Sequence, residues 1–171
     1  NNFFDADSVN IILKECGEPD LITFTNVFAH IEDLRGVLLN LKKIIGPQTK
    51  VVIENHYLGS VLDFSQFDTF YHEHPRTYSL TSFSYIAKSL GLNLVNFEFV
   101  SRYGGNIRAF LSHGKAIDFL PINENRFSKM FGPLNIEILN WKRKTRKKLL
   151  EINKEYGPIP AKAFPGRAAI L

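Results

Sequence analysis

The stretch that most constrains the fold runs from Leu21 to Glu54, where two short apolar runs flank an amphipathic helix. Leu21-Ile22-Thr23-Phe24-Thr25 is too brief for a helix and rich in β-branched residues, the signature of a buried parallel strand. From Asp33, apolar residues at 34, 37, 38, 41, 44 and 45 mark one face of a helix that Gly46-Pro47 stops. Thr49 to Glu54 then reads as the next strand. Two strands with such a helix between them are expected to form a right-handed βαβ crossover, so the sheet is at least partly parallel. In open α/β sheets ligands collect outside the carboxyl ends of the strands. Here those ends are Thr25 to His30 and Glu54 to Tyr57.

Around this unit the pattern continues. Asp7 to Cys16 carries apolar residues at 9, 12, 13 and 16, a helix opened by an Asp or Ser cap and closed by Gly17. A short apolar segment, Leu58 to Phe64, follows the second strand. Thr81 to Leu90 is a helix stopped by Gly91, and Leu92 to Val100 alternates as a strand. Ile107 to Ser112 is another strand, reached through Tyr103-Gly104-Gly105-Asn106, so the last pair is an antiparallel hairpin. Beyond Lys115, Ile122 to Phe131 is expected to be helical, Gly132-Pro133 to break it, and Leu134 to Tyr156 to form one long helix. Ile159 to Phe164 reads as a strand, Pro165-Gly166-Arg167 as a turn and Ala168 to Leu171 as a first helical turn. Such a remnant cannot bury a core alone and reads as the opening of a further domain.

Composition narrows the function classes. With 44% apolar and 22% charged residues the chain supports a real core. It has no apolar run of the roughly 18 residues that a membrane span needs, and its start lacks the pattern of a secretory signal. Cys16 alone offers neither an intrachain disulfide nor metal-site spacing, which fits a reducing cytoplasm. The net charge of +4 is local: six positive charges lie between Lys142 and Lys148, and without them the remainder is −2. That run reads as a solvated helix face, since no aromatic-interleaved basic motif points to nucleic acid.

The densest chemistry lies at Phe67-Asp68-Thr69-Phe70-Tyr71-His72-Glu73-His74-Pro75-Arg76. If extended, it sets Tyr71 and Glu73 on one side and His72 and His74 on the other; if it turns, all four converge. Histidine takes and gives protons near neutral pH, and tyrosine donates to a developing oxyanion. Adjacent residues on alternating faces make poor joint ligands, so no metal is expected at His72-Glu73-His74. The plainer reading is a polar, solvated loop.

Asn26-Val27-Phe28-Ala29-His30, the Phe67 to His74 stretch and Tyr103-Gly104-Gly105-Asn106-Ile107-Arg108 together resemble the S-adenosylmethionine-dependent C-methyltransferases of nucleotide-linked keto-deoxysugars. That family has a zinc-binding N-terminal region, a central class I methyltransferase domain and a C-terminal Rossmann-like domain. The resemblance implies that residues 1–115 are the C-terminal part of a class I (Rossmann-like) methyltransferase sheet, ending in its antiparallel hairpin. Residues 116–158 would be a helical connector, and 159–171 the beginning of the C-terminal domain. The family's zinc-binding cysteines and Gly-rich cofactor loop are not in this sequence, so an internal fragment is expected.

Site roles follow from the same resemblance. S-adenosylmethionine is the implied cofactor and a nucleotide-diphosphate keto-deoxysugar the implied partner, with neither nucleic acid nor membrane involved. His74 is the candidate base, with Tyr71 and Glu73 as its partners, and His30 faces the sugar. His72 drops out. Thr25 and Asn26 are placed at the cofactor, and Tyr57, Arg76 and Arg108 at the substrate, guanidinium forks being suited to diphosphate oxygens. Plainer roles stay open: His30 as a packed or capping residue, Asn26, Gly104 and Gly105 as turn formers. So do a methyltransferase for another small molecule and a non-catalytic interaction module.

Overall fold

The computed structural model describes residues 4–118 and 122–160. Helix α1 (Ala6–Cys16) is capped by Asp5, whose carboxylate accepts from the Ser8 amide at 2.9 Å and the Ser8 hydroxyl at 2.8 Å. The cap therefore lies just ahead of the expected Asp7 or Ser8. Strand β1 (Leu21–Thr25) pairs in parallel with β2 (Lys50–His56), and α2 (Leu34–Ile44) connects them. Asp33 caps α2 by accepting from the Gly36 amide at 2.9 Å. The short helix α3 (Leu58–Asp63) follows, then α4 (Leu80–Ser89), held by a capping box between Ser79 and Ser82. Strands β3 (Asn93–Val100) and β4 (Asn106–Ser112) form the antiparallel hairpin. The later strand, β4, inserts beside β2, giving the order β1-β2-β4-β3. The α/β assignment, the parallel pair and the hairpin all hold.

Period two sorts the sheet into two faces. Val51 and Ile53 lie across from Leu111 and Ala109, and all four are buried. Val9 of α1, Leu41 and Ile44 of α2, and Phe83 and Ile86 of α4 join them in one core. Each such large side chain contributes about 1.5–3 kcal/mol. The alternate residues of the central strands face the other way, and Glu54, Arg108 and Glu98 form one cross-strand row there. Strand β2 runs two residues beyond the expected Glu54, which adds Asn55 and His56 to its carboxyl end.

Gly132-Pro133 does not break the last helix, contrary to the sequence expectation. After a 3₁₀ turn at Glu124–Arg126, α5 runs unbroken from Phe127 to Tyr156 with Pro133 inside it. Proline there removes one backbone hydrogen bond at a cost of about 3 kcal/mol. Phe127 and Leu134, seven residues apart on one helix face, are both buried and hold the turns on either side of it against the core. The strand expected over Ile159–Phe164 and the helical turn over Ala168–Leu171 lie outside the described residues, apart from Ile159 and Pro160, which adopt no regular structure. Among the described residues no helix is long and apolar enough to cross a membrane.

Candidate active site

The Phe67 to Arg76 segment turns rather than extends. A 3₁₀ turn at Phe67–Thr69 leads into a second turn closed by the His74 amide on the Tyr71 carbonyl at 2.8 Å. A turn brings residue i beside i+3, so Tyr71 meets His74, with ring centroids 4.4 Å apart. Glu73, expected at the side of His74, is instead exposed next to His72, with Glu73 Oε1 3.8 Å from His72 Nε2. The alternation that would have grouped Tyr71 with Glu73 is absent because the chain here is not a strand.

The loop is tied down along its length. Gln66 Nε2 donates to the Gly104 carbonyl at 2.9 Å, and the Phe67 ring meets Trp141 of α5 edge to face at 5.1 Å. The buried Tyr78 hydroxyl donates to the Phe28 carbonyl at 3.0 Å, and burial pushes its pKa up to about 12. Arg76 donates to the backbone carbonyls of Ile31 and Glu32. Its fork thus joins the site loop to the segment that carries His30.

These ties fix the tautomer of His74. Its Nδ1 lies 3.1 Å from the Thr69 carbonyl oxygen, which only accepts, so Nδ1 carries the proton and Nε2 is the basic nitrogen. The Tyr71 hydroxyl stands 3.4 Å from Nε2, a long contact of the kind that tightens when a ligand closes a site. His30, exposed, meets the His74 ring edge to face at 4.5 Å. His56, at the end of β2, is buried, 6.0 Å from His74, and stacks at 6.0 Å under Tyr103.

Together these side chains wall a cleft of about 130 Å³ at the carboxyl ends of β1 and β2. Pockets for whole small molecules run to about 300–1,000 Å³, so this one holds a reacting end rather than a complete ligand. Asn26 lines the cleft in a left-handed conformation, φ 54°, with its amide bonded to the Glu54 carbonyl at 2.8 Å. Thr25, beside it, is exposed. An exposed hydroxyl and an amide at a strand's carboxyl end suit the polar end of a cofactor.

Behind Asn26 lies a buried carboxylate. Glu54 is 3% exposed and accepts from Asn106 Nδ2 at 3.1 Å and from Arg108 Nε and Nη2 at 3.0 and 2.8 Å. Burial by itself raises its pKa, but the bonds from Asn106 and Arg108 and the charges of Arg108 and Arg102 outweigh that and hold the group below the usual carboxylate range. Arg108 also reaches Glu98 at 3.1 Å, so its fork serves these two carboxylates. Tyr57 points away from the cleft: buried against Phe99 and Phe127, its hydroxyl donates to Glu124 at 3.1 Å. Burial, then the Glu124 charge, raises its pKa and keeps it a neutral donor.

The sequence points to the Glu54 to Tyr57 edge without singling out Asn55 and His56, and it gives Tyr103 and Asn106 a place in a motif but no role of their own. Tyr103 carried a local signal in its glycine-rich turn, where it adopts φ 53°. Larger hollows, about 420 and 470 Å³, run along α5, but their apolar and basic linings hold no imidazole or carboxylate. Among the described residues no group of three or more His, Cys, Asp or Glu is placed to hold a metal ion.

A family model described as a methyltransferase domain matches residues 1–96, more than half of the chain. The chain belongs to the methyltransferase domain family. This methyltransferase domain is 32% identical over 113 residues to C-methyltransferase NovU of Streptomyces niveus, a match that covers 66% of this chain and 27% of that protein. The chain thus spans about a quarter of the length of that curated relative. Among solved structures, an O-methyltransferase family protein from Burkholderia thailandensis aligns with 16% identity and a TM-score of 0.40, over 67% of this chain and 35% of the other.

Proposed function

We propose that this methyltransferase domain transfers a methyl group from S-adenosylmethionine to the carbon next to the keto group of a nucleotide-linked deoxysugar, in the cytoplasm. The observation that carries the reading is the oriented imidazole: His74 with its Nδ1 proton on Thr69 and its basic Nε2 beside the Tyr71 hydroxyl. His74 Nε2 takes the proton from the α-carbon, and the electron pair moves onto the ketone oxygen as an enolate. Tyr71 or a neighbouring donor hydrogen-bonds that oxygen, and His30, edge-on to His74, borders the same space. A positioned base of this kind contributes about 10²–10⁴-fold.

S-adenosylmethionine, when bound, supplies the electrophilic methyl on a sulfonium that leaves as a thioether. Thr25 and Asn26 are the residues of this chain that would hold its polar end. Residues 1–115 carry the chemistry in this reading, and 116–158 connect them to a Rossmann-like domain beginning at 159. NovU is by name a C-methyltransferase, which favours carbon over oxygen as the acceptor. The test is deuterium uptake at the α-carbon of a nucleoside-diphosphate keto-deoxysugar in D₂O. The wild type is expected to exchange, and His74→Ala to lose about 10²–10⁴-fold of that rate. Equal rates in the two proteins would remove His74 as the base.

A further inference from the structure

Asn106 is fully buried at 0% exposure, yet its carbonyl oxygen Oδ1 has no hydrogen-bond partner among the described residues. An orphaned buried carbonyl is costly, so something else holds this amide the way round it is. Its Nδ2 spends both protons, one on Asn26 Oδ1 at 3.0 Å and one on Glu54 Oε1 at 3.1 Å. An ionised carboxylate only accepts. Turning the Asn106 amide over would set its oxygen against Glu54, a worse outcome than leaving that oxygen bare. Glu54 in turn is held by Arg108 on Oε2, with Arg102 at 3.6 Å from Oε1.

The polarity passes one residue further. Because Asn106 occupies Asn26 Oδ1, the end of the Asn26 amide left for the cleft is Nδ2, which donates to nothing among the described residues. The backbone of Asn26 is pinned by its own bond to the Glu54 carbonyl, so the side chain enters the cleft from a fixed point.

We propose that Glu54 and Asn106 are positioning residues that fix Asn26 as a hydrogen-bond donor in the cleft. Asn26 Nδ2 then donates to an oxygen of the ligand, carboxylate or enolate, and rejects an ammonium group. The identity of that ligand rests on the methyl-transfer reading; the polarity of Asn26 does not. Two sources carry the same oxygen chemistry, the carboxylate of S-adenosylmethionine and the enolate oxygen of the sugar.

The experiment follows the Asn26 side-chain NH₂ signals of the ¹⁵N-labelled chain by NMR. Acetate and methylammonium are titrated as separate probes, then S-adenosylmethionine and a nucleoside-diphosphate keto-deoxysugar. In the wild type acetate is expected to move the Asn26 signals and methylammonium to leave them unchanged. In Asn106→Asp the oxygen replacing Nδ2 shares a proton with Glu54 and accepts from Asn26 Nδ2, so Asn26 turns its oxygen to the cleft. Glu54→Gln reaches the same state, its amide donating to an Asn106 that has turned over. Each variant is expected to weaken the acetate response about tenfold or more and to gain a methylammonium response. Asn106→Leu leaves the Asn26 amide free to turn, so its signals are expected to answer both probes, without the preference of either the wild type or Asn106→Asp. A residue needed only for packing would not exchange one preference for the other.

Wild-type signals that ignore acetate, or a folded Asn106→Asp protein that keeps the acetate response, would overturn the proposal. Should Asn106→Asp fail to fold, Glu54→Gln decides by the same criterion. Whether S-adenosylmethionine or the sugar moves Asn26 names the source of the oxygen. An intact acetate response without deuterium exchange at the sugar removes the methyl-transfer reading and leaves the fixed polarity of Asn26; exchange without the acetate response does the reverse.

Discussion

Replacing Arg108 by leucine separates two roles that the sequence alone cannot tell apart. As a diphosphate ligand, Arg108 would leave stability unchanged when lost and would lower substrate affinity in a salt-dependent way. In the structure all three of its bonds run to carboxylates, two of them to Glu54. Arg108→Leu strands a carboxylate that is 3% exposed, and breaking a buried ion pair by removing one partner costs about 3–5 kcal/mol. Arg102, 51% exposed and 3.6 Å from Glu54, covers part of that loss, which sets the expectation near the lower end, about 3 kcal/mol. With a urea m-value of about 2 kcal/mol/M, the unfolding midpoint falls by about 1.5 M. Adding Glu54→Gln removes the stranded charge and is expected to restore most of the loss, a coupling that a double-mutant cycle reads directly. A midpoint shift below about 0.5 M, or no recovery in the double variant, would refute the structural role.

Three further outcomes follow from the same contacts. Glu54 is more acidic folded than unfolded, so its stabilisation is present above the unfolded pKa of about 4.3 and is lost as pH falls through the lower folded value; thermal melts from about pH 5 to pH 3 should drop more steeply in the wild type than in Glu54→Gln/Arg108→Leu. Glu124 accepts from the Leu80 and Thr81 amides at 2.8 Å, the Thr81 hydroxyl at 2.6 Å and the buried Tyr57 hydroxyl at 3.1 Å. Glu124→Ala removes a helix cap and leaves that phenol unpaired, an expected loss of about 3 kcal/mol measured by urea unfolding. Trp141→Ala deletes the ring against Phe67, a pair worth about 0.5–1.5 kcal/mol, and hydrogen exchange at the His74 amide should quicken about 2- to 10-fold while the β2 amides keep their protection.

Patterns carried by neighbouring residues were legible in the chain itself. The βαβ unit, the hairpin and α4 show as apolar periodicity and glycine stops, because burial of one face acts at a fixed sequence spacing. The cluster around His74 was visible as composition. Which of its members meet was not: a reverse turn and a strand differ in a few backbone angles that the residue types do not dictate, and the turn traded Glu73 away from His74 and brought Tyr71 in. Pro133 shows the same limit in reverse, since a strong local break signal yields when Phe127 and Leu134 are both anchored in the core.

By itself the sequence determined the order of the strands with the helices between them, and the presence of a dense polar cluster around His74. Tertiary structure alone decided the wiring behind that cluster. Glu54 and Arg108 are 54 residues apart, and Asn26 and Asn106 are 80 apart. They meet because β4 inserts beside β2, and no local pattern encodes that pairing. Hydrogen-bond polarity is a property of contacts, so the tautomer of His74 and the donor end of Asn26 exist only once the Thr69 carbonyl and the Glu54 carboxylate have been brought into place.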